Sequence, residues 1–173
     1  MKWYVFNDKE GNATVNVILD HNTTANVAWN STGSNSEMKE VKKALENDTK
    51  DWKNTARLIT ANEVAKITEN TGFDASTENQ DWFYLDSNNQ TQIASSTNKS
   101  KYAWLFDYTN ECTNYGCNKP DSSNWGYWTS TSYKDNSTYA WHVYRVGSLY
   151  NYYVFDNAIG VRPVITISKS NIS

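Results

Sequence analysis

The feature that most constrains the fold is a series of strand-forming runs towards the C-terminal end. GYWTSTS, YAWHVYRV, LYNYYVF and GVRPVITIS are rich in β-branched and aromatic residues, and turn-forming residues separate them. In YAWHVYRV, Trp141 and Val143 alternate with His142 and Tyr144. One pair can therefore face a core while the other faces outwards. Gly147 permits a turn after this run. These patterns predict an antiparallel sheet.

The N-terminal half predicts a hairpin followed by a helix. KWYVF and ATVNVILD flank the turn-forming segment NDKEGN, which is typical of a β-hairpin. Ser34 stands three residues before Glu37, the spacing of a helix-capping box. Met38, Val41 and Leu45 follow at helical spacing, so we expect a short amphipathic helix here.

A second helix is predicted from Thr60, where Glu63 repeats the capping-box spacing and Val64 and Ile67 supply an apolar stripe. DWFYL, at residues 81–85, reads as a strand or an aromatic anchor, and YAWLFDY reads as a buried segment after a long polar stretch. The order of hairpin, two helices, long loops and a C-terminal antiparallel sheet predicts an α+β fold. We expect residues 1–173 to form a single domain.

Composition excludes several classes of function. The formal charge is −3, and no basic cluster suitable for phosphate groups stands out, so no nucleic-acid partner is expected. No apolar run approaches the roughly 20 residues that span a bilayer, so direct membrane insertion is not expected either. The combination of 8 Trp and 12 Tyr with many small polar residues is typical of a loop-rich domain that presents a recognition surface.

No catalytic motif is apparent in the sequence. The nucleophile elbow, the phosphate-binding loop and the dinucleotide-binding fingerprint are all missing. His21 reads as a turn residue, and Asp81 and Asp86 read as solvated ends of a short strand rather than as paired carboxylates. We therefore predict a protein that is not an enzyme and uses no cofactor.

The only two cysteines, Cys112 and Cys117, lie close together in ECTNYGCNKP. Their spacing predicts a local disulfide, with free thiols and a metal site as the alternatives. A metal site would need two more ligands, and neither histidine has zinc-site spacing to the pair, so no metal is predicted. A disulfide would indicate an oxidising compartment.

The C-terminal runs also carry a family resemblance. The matching pieces are Trp128 with the following TST, Ala140 and Trp141 followed by Val143, Gly147, and the closing GVRPV from Gly160 to Val164. Together they resemble the C-terminal half of C-type-lectin-fold domains, in particular the variable proteins of diversity-generating retroelements in bacteria and phages. The N-terminal WYVFNDKEGNATVNVILDHN, NVAW and ARLITANEVAKI fit the same family's hairpin and helices. The resemblance implies a small sheet in which the two ends of the chain meet, and a ligand-binding face carried by an irregular region.

The resemblance also implies which residues vary. Retroelements mutate adenines, and an AAC or AAT codon changed in this way cannot encode Trp, Lys, Glu, Gln or Met. None of these five types occurs between His142 and Asn157. The variable face is expected within about residues 133–158, where Lys134, upstream of His142, would need another origin. Its predicted ligand-binding residues are Tyr139, His142, Tyr144, Arg145, Val146, Ser148, Tyr150, Asn151, Tyr152, Tyr153, Phe155, Asp156 and Asn157.

The predicted scaffold beneath this face consists of Trp3, Val5, Ile18, Trp29, Trp104, Trp128, Trp141, Val143, Val161 and Val164. The calcium-binding motifs of sugar-binding lectins are missing, so no calcium site is expected. We expect a protein or other macromolecular ligand on a host or neighbouring cell, and an extracellular location on a bacterial surface or a virion. The alternatives are a relative of formylglycine-generating enzymes and a structural surface or virion module. The oligomeric state stays open.

Overall fold

The computed structural model describes residues 1–78, 80–85, 101–106, 125–145 and 147–172. These residues contain two α-helices, seven strands and two short 3-10 helices. The strands are β1 (Trp3–Phe6), β2 (Thr14–Leu19), β3 (Phe83–Tyr84), β4 (Gly126–Ser132), β5 (Tyr139–Tyr144), β6 (Ser148–Tyr153) and β7 (Val164–Ser168). The α-helices are α1 (Glu40–Asp48) and α2 (Ala61–Ile67), and the 3-10 helices span Ala103–Leu105 and Lys169–Asn171. The predicted α+β class is confirmed.

The strands form two antiparallel sheets. In the first, β2 lies between β1 and β7, so the predicted N-terminal hairpin pairs with the last strand. In the second, the order is β3-β6-β5-β4. Three of the four predicted C-terminal runs therefore form an antiparallel sheet, whereas the fourth, GVRPVITIS, contributes β7 to the first sheet. The pairing of β4 with β5 shifts register between Trp128 and Ser132. None of the described helices is long and apolar enough to cross a bilayer.

Two apolar clusters cover the two faces of the second sheet. Trp141, Val143 and Leu149 contribute to the larger cluster, which also contains Ile18 and Val164 of the first sheet. The smaller cluster joins helix α1 to the other face of the second sheet and contains Trp29, Val41, Leu45, Leu58, Trp128, Ala140, Val154, Ile159 and Val161. Burial of these side chains is the main favourable term in folding.

Most of the predicted scaffold is buried, but the assignment of Val5 is wrong. Its side chain is 44% exposed, whereas Phe6, one position along the strand, is buried. Side chains alternate along β1, so Tyr4 and Phe6 face the large cluster while Trp3 and Val5 face away. Trp52 packs against Trp3 at a ring-centroid distance of 5.4 Å and covers it partly. Trp104 is half-buried at the edge of the large cluster.

The predicted start of the first helix is also wrong. Helix α1 begins at Glu40, and its N-cap, Lys39, makes no side-chain capping bond. The Glu40 carboxylate instead accepts hydrogen bonds from the Ser31 backbone at 2.8 Å and from the Ser31 hydroxyl at 2.7 Å. These bonds lower the pKa of Glu40. The preceding segment is drawn away from helical geometry because Asn35 donates from its amide to the carbonyls of Tyr133, Asn136 and Tyr139.

The capping box of the second helix is confirmed. The Thr60 hydroxyl accepts a hydrogen bond from the Glu63 backbone at 3.0 Å, and the Glu63 carboxylate accepts one from the Thr60 backbone at 2.9 Å. Arg57 also pairs with this carboxylate through both guanidinium ends, at 2.7 and 2.8 Å. Burial alone raises the pKa of Glu63, but the bonds from Arg57 and Thr60 outweigh it and leave the pKa below its usual value.

Replacing Thr60 by alanine is expected to lower the free energy of unfolding by about 1 kcal/mol, the usual effect of losing an N-cap side chain. Urea unfolding followed by far-ultraviolet circular dichroism measures this change. Thr60→Ser keeps the hydroxyl and should retain most of the stability. A loss as large for serine as for alanine would contradict the capping role.

Candidate functional site

The predicted binding residues divide between the two faces of the second sheet. Directly paired residues in antiparallel strands share a face, and neighbours along a strand alternate. His142 pairs with Tyr150, and Tyr144 pairs with Ser148, so these residues share one face with Tyr152. We call it the outer face. Tyr139, Asn151 and Tyr153 lie on the opposite face, together with the core residue Trp141.

The open part of the outer face carries a continuous layer of aromatic rings. The layer runs from Trp82 to Tyr150 at a ring-centroid distance of 5.7 Å, then to His142 at 6.3 Å. From Tyr152, it continues to Trp125 at 5.2 Å. We call this set the aromatic layer, and its members are Trp82, Tyr84, Trp125, Tyr144, Tyr150 and Tyr152 around His142.

Exposure within the aromatic layer is uneven. Trp82 is 43% exposed, and Tyr84, Trp125, Tyr144, Tyr150 and Tyr152 are half-buried. By contrast, His142 is 1% exposed and Ser148 is also buried. Both lie on the expected face, but in this structure they form its base rather than its contact surface. Burial raises the pKa of the Tyr152 phenol, so this group stays protonated and can donate a hydrogen bond at neutral pH.

A second aromatic cluster lies at the end of β6. Tyr139 and Tyr153 are 4.6 Å apart between ring centroids, and Tyr153 is 5.1 Å from Phe155. Tyr153 and Phe155 are 41% and 52% exposed, among the largest exposures of any described aromatic side chain. We call Tyr139, Tyr153 and Phe155 the edge cluster. Its link to the aromatic layer is the contact between Tyr152 and Tyr153, at 5.6 Å.

The remaining predicted binding residues occupy turns. Arg145 is half-buried in the turn between β5 and β6, where its backbone N–H donates to the carbonyl of Trp125 at 2.9 Å. Gly147 in the same turn has a φ of 86°, as the turn prediction requires. Asp156 is half-buried and accepts a hydrogen bond from the Ala158 backbone at 2.8 Å, and Asn157 is exposed. Val146 lies outside the described residues.

Sequence reasoning missed three members of the aromatic layer: Trp82, Tyr84 and Trp125. The segment DWFYL was identified as a strand or an aromatic anchor, but not as part of the binding face. The pairing of β3 with β6 sets Tyr84 opposite Ser148, which brings this distant segment beside the predicted residues. The richness of the segment in aromatic residues was the only signal available beforehand.

The structure gives less support to the other candidate sites. His21 is buried and pairs with the adjacent Asp20, as a structural residue does. Cys112, Cys117 and Asp86 lie outside the described residues, so the disulfide stays a prediction. No group of three His, Cys, Asp or Glu side chains within the described ranges is arranged to hold a metal ion.

The aromatic layer and the edge cluster supply contact area and phenolic hydrogen-bonding groups. Neither contains an aligned nucleophile and base.

Comparison of the chain with protein-family models, curated proteins and solved structures finds no match.

Proposed function

We propose that this chain is a ligand-binding domain without enzymatic activity, and that the aromatic layer and the edge cluster contact a macromolecular ligand on a host or neighbouring cell. The proposal includes a C-type-lectin-like fold, diversification of the face by a retroelement, and display outside the cell on a bacterial surface or a virion. The observation that carries it is the contiguous, partly exposed aromatic layer on the second sheet.

The chemistry of the layer suits recognition of a protein surface. Soluble proteins rarely leave several large rings together at the surface unless the patch is an interaction site. Each such ring can bury about 150–250 Å² on contact, and tyrosine adds a hydroxyl at a low cost in side-chain entropy. The aromatic layer thus supplies apolar anchors and hydrogen-bonding groups in one patch, and the contact between Tyr152 and Tyr153 joins this patch to the edge cluster.

The arrangement also fits the proposed mode of diversification. Trp82 and Trp125 flank the layer and are of a type that adenine mutation of an Asn codon cannot produce. Tyr144, Tyr150 and Tyr152 are of a type that it can produce, and they lie between the two tryptophans. A constant border around changeable side chains would let specificity change while the sheet stays intact. The two antiparallel sheets and two helices are compatible with the proposed fold.

Replacing Tyr150 by alanine is expected to weaken binding about 30-fold, because a central aromatic contact contributes about 2 kcal/mol or more. The fluorescently labelled domain is titrated against panels of intact bacterial and animal cells, and half-saturation is compared between variants. Tyr150 is half-buried at the surface, so the melting temperature should change by only a few degrees.

Trp52→Ala is the matched control, because it removes a half-buried ring beside the first sheet. This control should bind as the wild type does. The proposal fails if Tyr150→Ala and Tyr152→Ala both bind normally, or if truncation of either ring unfolds the domain.

Diversification by a retroelement has a separate test. We expect the source genome to carry a reverse-transcriptase gene beside a near-copy of the 3′ coding end.

A further inference from the structure

His142 lies at the centre of the aromatic layer, where its surroundings are unusual for a histidine. Its ring is surrounded by four aromatic rings, those of Trp128, Tyr144, Tyr150 and Tyr152, at centroid distances between 5.7 and 6.3 Å. The side chain is 1% exposed, and neither ring nitrogen has a hydrogen-bond partner of normal geometry. Buried polar groups without partners are rare in proteins and costly to folding.

This position favours the neutral ring. Burial lowers the pKa of His142 to about 3, and a weak interaction with the Tyr150 backbone opposes this effect only in part. An exposed histidine has a pKa of about 6.5. A conformation that exposes the ring therefore takes up a proton between these two values. The packed conformation is favoured most above pH 6.5 and loses that advantage as the pH falls towards 3.

The groups that face His142 carry no negative charge that would pair with a protonated ring. Tyr144 on β5 and Tyr150 and Tyr152 on β6 are its titratable neighbours, and phenols are uncharged at acidic and neutral pH. Trp128 on β4 has no titratable group. No ion pair of His142 with a carboxylate is present among the described residues. Proton uptake thus has to be accompanied by opening of the layer to water.

We propose that His142 is a positioning residue whose neutral ring supports the tyrosines of the aromatic layer, and that its protonation at acidic pH releases them. The proposal makes the layer, and not the whole fold, the acid-sensitive part of the molecule. Its consequence for ligand binding, release at acidic pH, rests on the function proposed above.

Amide hydrogen exchange tests the release of the layer without any ligand. Exchange rates are measured between pH 4.5 and 6.5 and corrected for the intrinsic effect of pH. The opening constant is the equilibrium constant between the packed and the open conformation. For β5 and β6 it should rise by a factor approaching ten for each pH unit below about 6, because uptake of one proton allows no steeper dependence. The opening constant of β1 and β2 should rise much less.

Three variants isolate the histidine responsible. His142→Phe keeps a ring but cannot be protonated, and His142→Leu provides a second non-titratable side chain in case phenylalanine does not fit. Either variant should show a flat opening constant over this range. The chain has 2 histidines, so His21→Gln is the matched control and should keep the acid response of the wild type. The proposal is wrong if His142→Phe and His142→Leu keep the response, or if β1 and β2 open as much as β5 and β6.

Cell binding at pH 7 and pH 5 then tests the consequence for the ligand. Between pH 7 and pH 5 the wild type should lose more affinity for cells than His142→Phe does, and uptake of one proton limits this difference to about 25-fold. If no cell type binds the domain at either pH, the proposed function fails while the exchange result still stands. If binding is found but exchange of β5 and β6 is independent of pH, the role of His142 fails and the proposed function survives.

Discussion

Replacing Arg162 by alanine is expected to lower the free energy of unfolding by roughly 3–5 kcal/mol, because hydrogen bonds from a buried charged group are strong and their loss leaves carbonyls unpaired. The side chain is fully buried. It donates to the Leu105 carbonyl at 2.9 Å and to the Trp104 carbonyl at 2.8 Å. A third bond, from Nε, reaches the Leu19 carbonyl at the end of β2.

Arg162 thereby connects the first sheet to the second through the segment around the 3-10 helix at Ala103–Leu105. Its guanidinium also lies over the ring of Tyr127 on β4, 5.1 Å from the ring centroid. The Tyr127 hydroxyl donates to the Leu105 carbonyl, which Arg162 also contacts. Burial raises the pKa of Tyr127 to about 12, so this hydroxyl keeps its proton throughout the neutral range.

Urea unfolding at pH 7 measures the effect, and two variants serve as comparisons. Arg162→Lys keeps the charge but cannot reproduce the planar fork, so most of the stability should still be lost. Arg57→Ala removes an arginine whose side chain is 39% exposed, and the loss should be about 1 kcal/mol or less. An Arg162→Ala protein as stable as Arg57→Ala would contradict the proposed structural role.

Replacing Gly126 by alanine is the second large change, and we expect a loss of about 4 kcal/mol or more. Gly126 begins β4 with a φ of 133°, which side-chain-bearing residues rarely adopt. A Cβ atom at this position would lie 1.8 Å from the Val143 carbonyl oxygen on the neighbouring strand. Backbone cannot yield as a flexible side chain does, so β4 and β5 would have to separate beside Trp125.

Thermal unfolding followed by near-ultraviolet circular dichroism measures this loss and reports on the aromatic layer at the same time. Gly11→Ala is the matched control: Gly11 also has a positive φ, of 82°, but its added Cβ would meet no atom within 4 Å. Only the conformational cost of about 1 kcal/mol is expected there. Equal losses for the two alanine variants would show that the contact with Val143 is relieved easily.

Local patterns predicted the secondary structure well where interactions are short in range. The capping box at Thr60 forms because donor and acceptor lie within one helical turn. The same spacing at Ser34 does not produce a cap, because Asn35 makes hydrogen bonds to residues about a hundred positions away. A local pattern cannot indicate such a competing long-range partner.

The candidate site was predicted in part for the same reason. Alternation along β5 correctly separated Trp141 and Val143 from His142 and Tyr144. The same alternation sets Tyr139 on the face of Trp141, so the sequence could have separated this residue from His142 and Tyr144 as well. It could not show that Tyr153 shares that face, because the register between β5 and β6 depends on the turn that joins them. Nor did it show that Trp82 and Trp125 border the layer, since contacts from outside the two strands place them there.

The sequence alone therefore determined the class of fold, the strands and the aromatic character of the outer face, because these depend on residue type and on a period of two along each strand. Only the tertiary structure decided which rings lie together and which are covered. It buried His142, which sequence reasoning had placed among the contact residues, and it brought Trp82 beside Tyr150. The physical reason is that burial depends on what packs against a face, and those partners come from distant parts of the chain.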